Sequence, residues 1–249
     1  MPKEDRVVSG VPGLDDMLRG GFIRQSAILV RGAPGTGKTT LGLQYLLEGV
    51  RRGEPGLFVS FEEFPQSLYR DAESLGWNLP VVEAEGKLHL IFTSPPVLMQ
   101  SLAAAESGIL KRIRDHGIQR VVVDSLTHFT QSISSGHDLR SVYYQVINAF
   151  RREELTAMYL GEEMRTDYTV EEKGRLPFLV DCVVILRYLE IDSAIQRAIV
   201  VLKMRSSPHD TAIHSYTIAQ NGITVGKPLE GKAGLLSGIA RRSMISTVH

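Results

Sequence analysis

The chain has one cysteine and one tryptophan in 249 residues, and no charge excess: 28 Lys and Arg balance 28 Asp and Glu. A lone cysteine excludes an intrachain disulfide. Cys182 sits in the apolar run Val180-Asp181-Cys182-Val183-Val184-Ile185-Leu186, which reads as a buried thiol rather than a nucleophile. Zero net charge removes any global attraction to nucleic acid or to an anionic membrane. No apolar run is long enough to span a bilayer. The start, Met1-Pro2-Lys3-Glu4-Asp5-Arg6, is charged and lacks the apolar core of a signal peptide. These absences lead us to expect a cytoplasmic protein with no membrane segment.

What is present is a phosphate-binding signature. Gly32-Ala33-Pro34-Gly35-Thr36-Gly37-Lys38-Thr39 matches G-x-x-x-x-G-K-[ST]. Ala27-Ile28-Leu29-Val30 before it reads as a buried strand, and the residues after Lys38 read as a helix. Glycines let the backbone curl so that successive N–H groups face an anion, and the helix N-terminus adds partial positive charge. Pro34, Gly35, Thr36, Gly37, Lys38, Thr39 and Thr40 are the candidate nucleotide contacts. Lys38 is expected to reach the β- and γ-phosphates, and the Thr39 hydroxyl to ligate Mg²⁺. A plain Gly-rich turn is the competing reading, and the strand–loop–helix context argues against it.

A hydrophobic fraction of 43% is enough for a sizeable core in one α/β domain. Strands and helices alternate to about residue 160, which predicts a mostly parallel sheet with helices on both faces. A helix is expected over 40–52, a strand over 57–61, and a short helix from Pro65 to Gly76. Further strands are expected over 88–92, 120–124 and 156–160. Leu102, Ile109 and Ile113 mark one helix ending at Gly117. Leu139, Val142, Tyr143, Val146, Ile147 and Phe150 form another helical stripe. Residues 180–189, 196–204, 212–219 and 223–225 then read as consecutive strands. Asn221-Gly222 signals a tight hairpin between the last two, so antiparallel strands extend the parallel core.

A phosphate loop needs a metal-holding carboxylate on a neighbouring strand. Asp124, at the end of Arg120-Val121-Val122-Val123, fits that position. The competing reading is a strand-end Asp capping a turn. Glu62 and Glu63 follow the strand after the loop helix, where a water-activating carboxylate could stand. Side chains of adjacent residues point apart on extended backbone, so one would orient water and the other support it. Taken alone the pair is also an ordinary acidic turn. Lys203 and Arg205, two apart on a strand, share a face and could meet one anion. Spacing alone favours solvated charges on an edge strand.

Together these residues resemble the KaiC-like branch of the RecA-type ATPases, from about Val8 to Gly226. Ser9-Gly10-Val11-Pro12-Gly13-Leu14-Asp15-Asp16 resembles the family's pre-loop segment. Phe61-Glu62-Glu63 resembles its catalytic glutamate pair, and Val122-Val123-Asp124-Ser125 its Walker B strand. Asp181 to Glu190 resembles its paired strand. Leu202-Lys203-Met204-Arg205 with His209-Asp210 resembles the segment that reaches a neighbouring subunit's nucleotide site. The resemblance implies a RecA-like P-loop core, ATP and Mg²⁺, and a homo-oligomer, usually a hexameric ring, with ATP at subunit interfaces. It also implies that Lys203 and Arg205 act in trans, against the spacing argument. Residues 1–227 are expected to be one such domain, and 228–249, rich in Gly, Ser and Arg, a mobile tail.

The departures also matter. Clock members of the family carry two such domains, and one is present here. They phosphorylate adjacent Ser and Thr just before the paired strand, where Pro177-Phe178 stands here with no hydroxyl. Ser132, Ser134 and Ser135 lie elsewhere, and nothing recommends them. Recombinases share the core and bind DNA through loops that correspond to 131–138 and 162–175. The first has no Lys or Arg, and the second carries Glu162, Glu163, Asp167, Glu171 and Glu172 against Arg165, Lys173 and Arg175. Phosphate binding needs clustered cations, so nucleic acid is not expected as a partner. His209 and His214 lack further ligands nearby and read as surface or interface residues. Trp77 reads as a packing residue and Arg241-Arg242 as solvated. The expectation is a slow ATPase acting as an oligomeric, ATP-dependent regulatory switch with an unknown protein partner. A DNA-dependent recombinase-type ATPase and a non-hydrolysing scaffold assembled by ATP are the alternatives.

Overall fold

The computed structural model describes residues 5–104, 107–132, 139–162, 176–191, 193–229, 232–233 and 241–242. A short ladder pairs β1 (Arg6–Val7) with β2 (Phe22–Ile23), with α1 (Leu14–Met17) between them. Then come β3 (Ala27–Gly32), α2 (Lys38–Arg51), β4 (Gly56–Ser60), α3 (Pro65–Ser74), α4 (Leu79–Ala84) and β5 (Leu88–Phe92). Next are α5 (Pro95–Ala103), α6 (Gly108–Asp115), β6 (Arg120–Asp124), α7 (Thr127–Ser132), α8 (Leu139–Arg152) and β7 (Thr156–Glu162). The chain continues as β8 (Cys182–Ile191), β9 (Ala194–Met204), β10 (His214–Ala219) and β11 (Gly222–Pro228). In the tail, β12 (Lys232–Ala233) pairs antiparallel with β13 (Arg241–Arg242).

The central sheet has nine strands in the order β11-β10-β9-β8-β3-β7-β6-β4-β5. From β8 to β5 every neighbouring pair is parallel, and β9, β10 and β11 add on antiparallel. The parallel strands are apolar on both faces, because helices cover both. Alternation assigns the faces. Ile28, Val30, Phe58 and Val122 join a core with Leu41, Leu46 and Leu68 of α2 and α3. Ala27, Leu29, Val59 and Val121 join a second core with Leu98, Ile113, Val146 and Phe150 of α5, α6 and α8. Cys182 is buried, and desolvation pushes its thiol up to about 12, as befits a packing residue.

Three expectations about the chain are corrected. The single helix through Leu102, Ile109 and Ile113 is two helices, α5 and α6. Extended backbone at Ser107 separates them, and its hydroxyl caps Leu110 N–H at 3.2 Å. An unexpected helix, α4, follows α3; the Asn78 side chain caps it through Val81 N–H, with Pro80 in the first turn. His214 is not a surface residue. It is buried, and its ring nitrogens meet Gly226 O at 2.9 Å and Asp210 Oδ2 at 3.1 Å.

One buried charge ties the sheet's N-terminal rim together. Arg120 on β6 is 1% exposed and pairs with Glu54. It also donates to Val8 O at 2.8 Å and Tyr45 O at 2.9 Å. Every stretch of that guanidinium is thus matched by an acceptor, which a buried charge requires.

Candidate active site

Ligands in open α/β sheets bind beyond the C-terminal ends of the strands. Here the register sets that rim. Ser60 lies opposite Asp124, Asp124 opposite Leu160, and Gly32 opposite Glu162. The loop after β3, the end of β6 and the glutamates after β4 therefore share one edge of the sheet.

The loop itself curls through Gly35 at φ 78° and Gly37 at φ 92°, left-handed values that favour glycine. Gly37 is the N-cap of α2. No side chain caps it, and no acidic residue stands in the first turn. The first N–H groups of α2 are thus left for an outside acceptor, with the helix dipole behind them. Lys38 Nζ folds back over the loop and donates to Gly32 O at 2.9 Å and Ala33 O at 3.2 Å. Burial lowers its pKa, and the nearby carboxylates of Asp124, Glu162 and Glu62 oppose that. The Thr39 hydroxyl donates to Asp124 Oδ2 at 2.7 Å. Burial raises the Asp124 pKa, with the Thr39 bond and the Lys38 charge acting against it. Two hard oxygen donors side by side, next to an uncapped helix end, suit Mg²⁺ with a polyphosphate.

Glu62 and Glu63 diverge where the chain bends after β4. Glu62 is 71% exposed, and its Oε2 lies 3.3 Å from His128 Nε2 on α7. Glu63 turns inward. Its N–H is held by Ser60 Oγ at 3.0 Å, and its Oε2 is buried without a hydrogen-bond partner among the described residues. Burial first, and then the carboxylates of Asp71, Asp124 and Glu62, raise its pKa. A buried carboxylate oxygen with no donor is a group placed for a water or ligand proton.

Lys203 and Arg205 are not brought to this rim. β9 runs antiparallel to β8, so Lys203 pairs with Val183, which lies beside Leu29 in the body of the sheet. Lys203 Nζ donates to Pro177 O at 2.7 Å and Val180 O at 2.8 Å. Arg205 donates to Phe178 O at 2.7 Å and lies 3.7 Å from Asp181 Oδ1. Both cations therefore stand near the rim opposite the chain's own phosphate loop. Residues 133–138 and 163–175, with Ser134 and Ser135, lie outside the described residues.

The sequence reading missed three contacts at the site: His128 on Glu62, Tyr188 on Gly35 O and Tyr216 on Thr36 O. No spacing signal announces them, because each partner comes from a distant segment.

The family described as "ATPase: KaiC" matches residues 7–230. The chain belongs to the KaiC ATPase family. It is therefore an ATP-binding protein of RecA fold. A UPF0273 protein of Thermotoga maritima is 31% identical over 246 residues, covering 92% of this chain and 98% of that one. The circadian clock oscillator protein KaiC of Thermostichus vulcanus is 33% identical over 239 residues, covering 95% of this chain. This chain spans 45% of that clock protein, so it matches under half of the KaiC length. Among solved structures, a KaiC-like protein from Pyrococcus horikoshii superposes with a TM-score of 0.80 at 27% identity. That match covers 90% of this chain and all of the archaeal one. Its KaiC-like character agrees with the single mostly parallel sheet and its antiparallel extension.

Proposed function

We propose that this KaiC-family domain is a Mg²⁺-dependent ATPase that hydrolyses ATP slowly as a homo-oligomer and serves as an ATP-dependent switch. The observation that carries the reading is the shared rim. Lys38, Thr39 and Asp124 stand at an uncapped helix end, and Glu63 presents an unpartnered buried oxygen on the same edge.

In this reading the backbone of Pro34 to Thr40 cradles the phosphates, and Lys38 leaves its carbonyl partners to meet the β- and γ-oxygens. Thr39 and Asp124 hold Mg²⁺, which supplies charge neutralisation at the phosphates. Glu63 accepts a proton from the attacking water, and Glu62, steadied by His128, supports it. Lys203 and Arg205 sit too far round the sheet to serve their own site, so they serve a neighbour's, with ATP between subunits. The family resemblance makes a hexameric ring the expected assembly, and the lone cysteine and charged start make the cytoplasm the expected setting. Pro177 and Phe178 offer no hydroxyl, so clock-type self-phosphorylation at that place is absent from the proposal.

The deciding experiment is mass photometry with and without ATP, run beside phosphate release with and without single-stranded DNA. Discrete ATP-dependent rings that release phosphate independently of DNA support the reading. Polymerisation on DNA with several-fold stimulation would replace it with a recombinase-type activity. Assembly without phosphate release would leave an ATP-assembled scaffold.

A further inference from the structure

Two phenols from the antiparallel part of the sheet end on the phosphate-binding loop. Tyr188, on β8, donates to Gly35 O at 2.6 Å. Tyr216, on β10, donates to Thr36 O. These are consecutive carbonyls, held by side chains 153 and 180 residues away in sequence. Both carbonyls lie between the two left-handed glycines, Gly35 and Gly37.

That placement answers a physical difficulty. Glycine lets the loop curl, and the same freedom lets the adjoining peptide planes rotate at little steric cost. In a trans peptide the C=O and the following N–H point to opposite sides. Holding Thr36 O from outside therefore aims the Gly37 N–H to the inner side of the curl, while the Thr36 N–H closes the turn on Ala33 O at 3.3 Å. Thr36 adds its own brace, its hydroxyl donating to Ala33 O at 2.8 Å.

The clamps are themselves supported. Arg197 pairs with Tyr188 across the β8–β9 ladder, and its guanidinium lies 5.6 Å from the Tyr188 ring centroid, within cation–π range. Tyr216 is buried, and desolvation raises its pKa, so its hydroxyl remains a donor. Ile218 packs so close to Gly37 that a Cβ there would fall 2.5 Å from its Cδ1. A Cβ on Gly35 would fall 2.9 Å from the Tyr188 hydroxyl. The outer wall of the loop is therefore filled by the C-terminal strands.

We infer that Tyr188 and Tyr216 are positioning residues for the nucleotide: their hydroxyls hold the phosphate-binding loop in its anion-accepting shape before the ligand arrives. The inference rests on the reading of that loop as the ATP site. A binding site ordered in advance spares the ligand the ordering cost, so losing a clamp weakens binding without touching the chemistry.

The test titrates Mg·ATP into the full chain carrying Tyr188→Phe, Tyr216→Phe or both, with Lys38→Ala as control. Losing one net hydrogen bond raises Kd about fivefold, and losing both raises it about twentyfold. KM rises in step while kcat at saturating ATP stays at the wild-type value. The nucleotide-free unfolding midpoint of Tyr188→Phe falls by no more than a few degrees, since that side chain is partly solvated. Equal Kd for wild type and Tyr188→Phe overturns the inference, and so does a fall in kcat with KM unmoved. If Tyr216→Phe does not fold, Tyr188→Phe alone decides. If the folded wild type fails to bind Mg·ATP, the ATP-site reading itself fails, a result distinct from equal binding by wild type and variant.

Discussion

The Thr39 hydroxyl donates to Asp124 Oδ2 at 2.7 Å, joining the first turn of α2 to the end of β6. A bond between these two groups brings the carboxylate and the hydroxyl together where a metal would need both. Lys38, one residue earlier, spends its donors on two loop carbonyls. Those carbonyl contacts are local and replaceable by water, so Lys38 is free to change partner.

Lys38→Ala is therefore expected to abolish measurable ATP binding with the fold intact. The two lost backbone bonds are partly exposed, so the stability change should be about 1 kcal/mol. Calorimetric titration beside a thermal melt checks both halves. Equal ATP affinity in wild type and variant would sink the phosphate role.

The double variant Glu62→Gln, Glu63→Gln should bind Mg·ATP and hydrolyse it about 10²–10⁴ times more slowly, since amides keep the shape but accept no proton. Single-turnover phosphate release measures this. An unchanged rate would mean that the pair is only an acidic turn.

Glu63 also predicts a pH dependence. Its pKa is raised in the fold by burial and by neighbouring carboxylates. A raised acid favours the native state while protonated and disfavours it once ionised. Glu63→Gln should thus raise the melting temperature of the nucleotide-free protein at pH 8. The gain should close as pH falls through the raised pKa toward the ordinary carboxylate range. An identical melt for both proteins at pH 8 would show a hydrated carboxylate.

Arg205→Ala should bind ATP and hydrolyse it poorly. The loss can reach about 10³–10⁵, the worth of an arginine finger in faster phosphoryl-transfer sites. Mixing it with the glutamine double variant sharpens the test. Neither is active alone, yet mixed rings contain interfaces with intact glutamates on one side and intact Arg205 on the other. Activity should return on mixing and follow the subunit ratio. Its absence despite demonstrated subunit exchange would exclude action in trans.

What was legible in the sequence was what is local in it. The loop from Gly32 to Thr39 carries its glycines, lysine and threonine in one short run, and Asp124 follows an unbroken apolar strand. Alternating strands and helices gave the parallel core, and Asn221-Gly222 marked the last hairpin, where both residues have positive φ. Long-range contacts were not legible. Tyr188 and Tyr216 look like ordinary strand aromatics until the sheet brings β8 and β10 alongside the loop. His214 reads as a surface or interface residue until the hairpin supplies Gly226 O. The break between α5 and α6 turns on one hydroxyl, Ser107, within a stretch whose apolar spacing runs on regardless. Lys203 and Arg205 show the limit most clearly. Their spacing places them on one face, and only the antiparallel course of β9 puts them at the far rim.

The helix that follows the phosphate loop also fastens the segment after β1 to the last strand of the central sheet. Gln44 Nε2 donates to Gly10 O at 2.8 Å and to Ile223 O at 3.1 Å, and its Oε1 accepts from Ile223 N–H. Both oxygens meet one nitrogen, so Gly10 O and Ile223 O lie within about 6 Å of each other. One amide side chain on the helix that opens at the phosphate loop thus couples the segment between β1 and α1 to the start of β11, and any shift of that helix is felt by both.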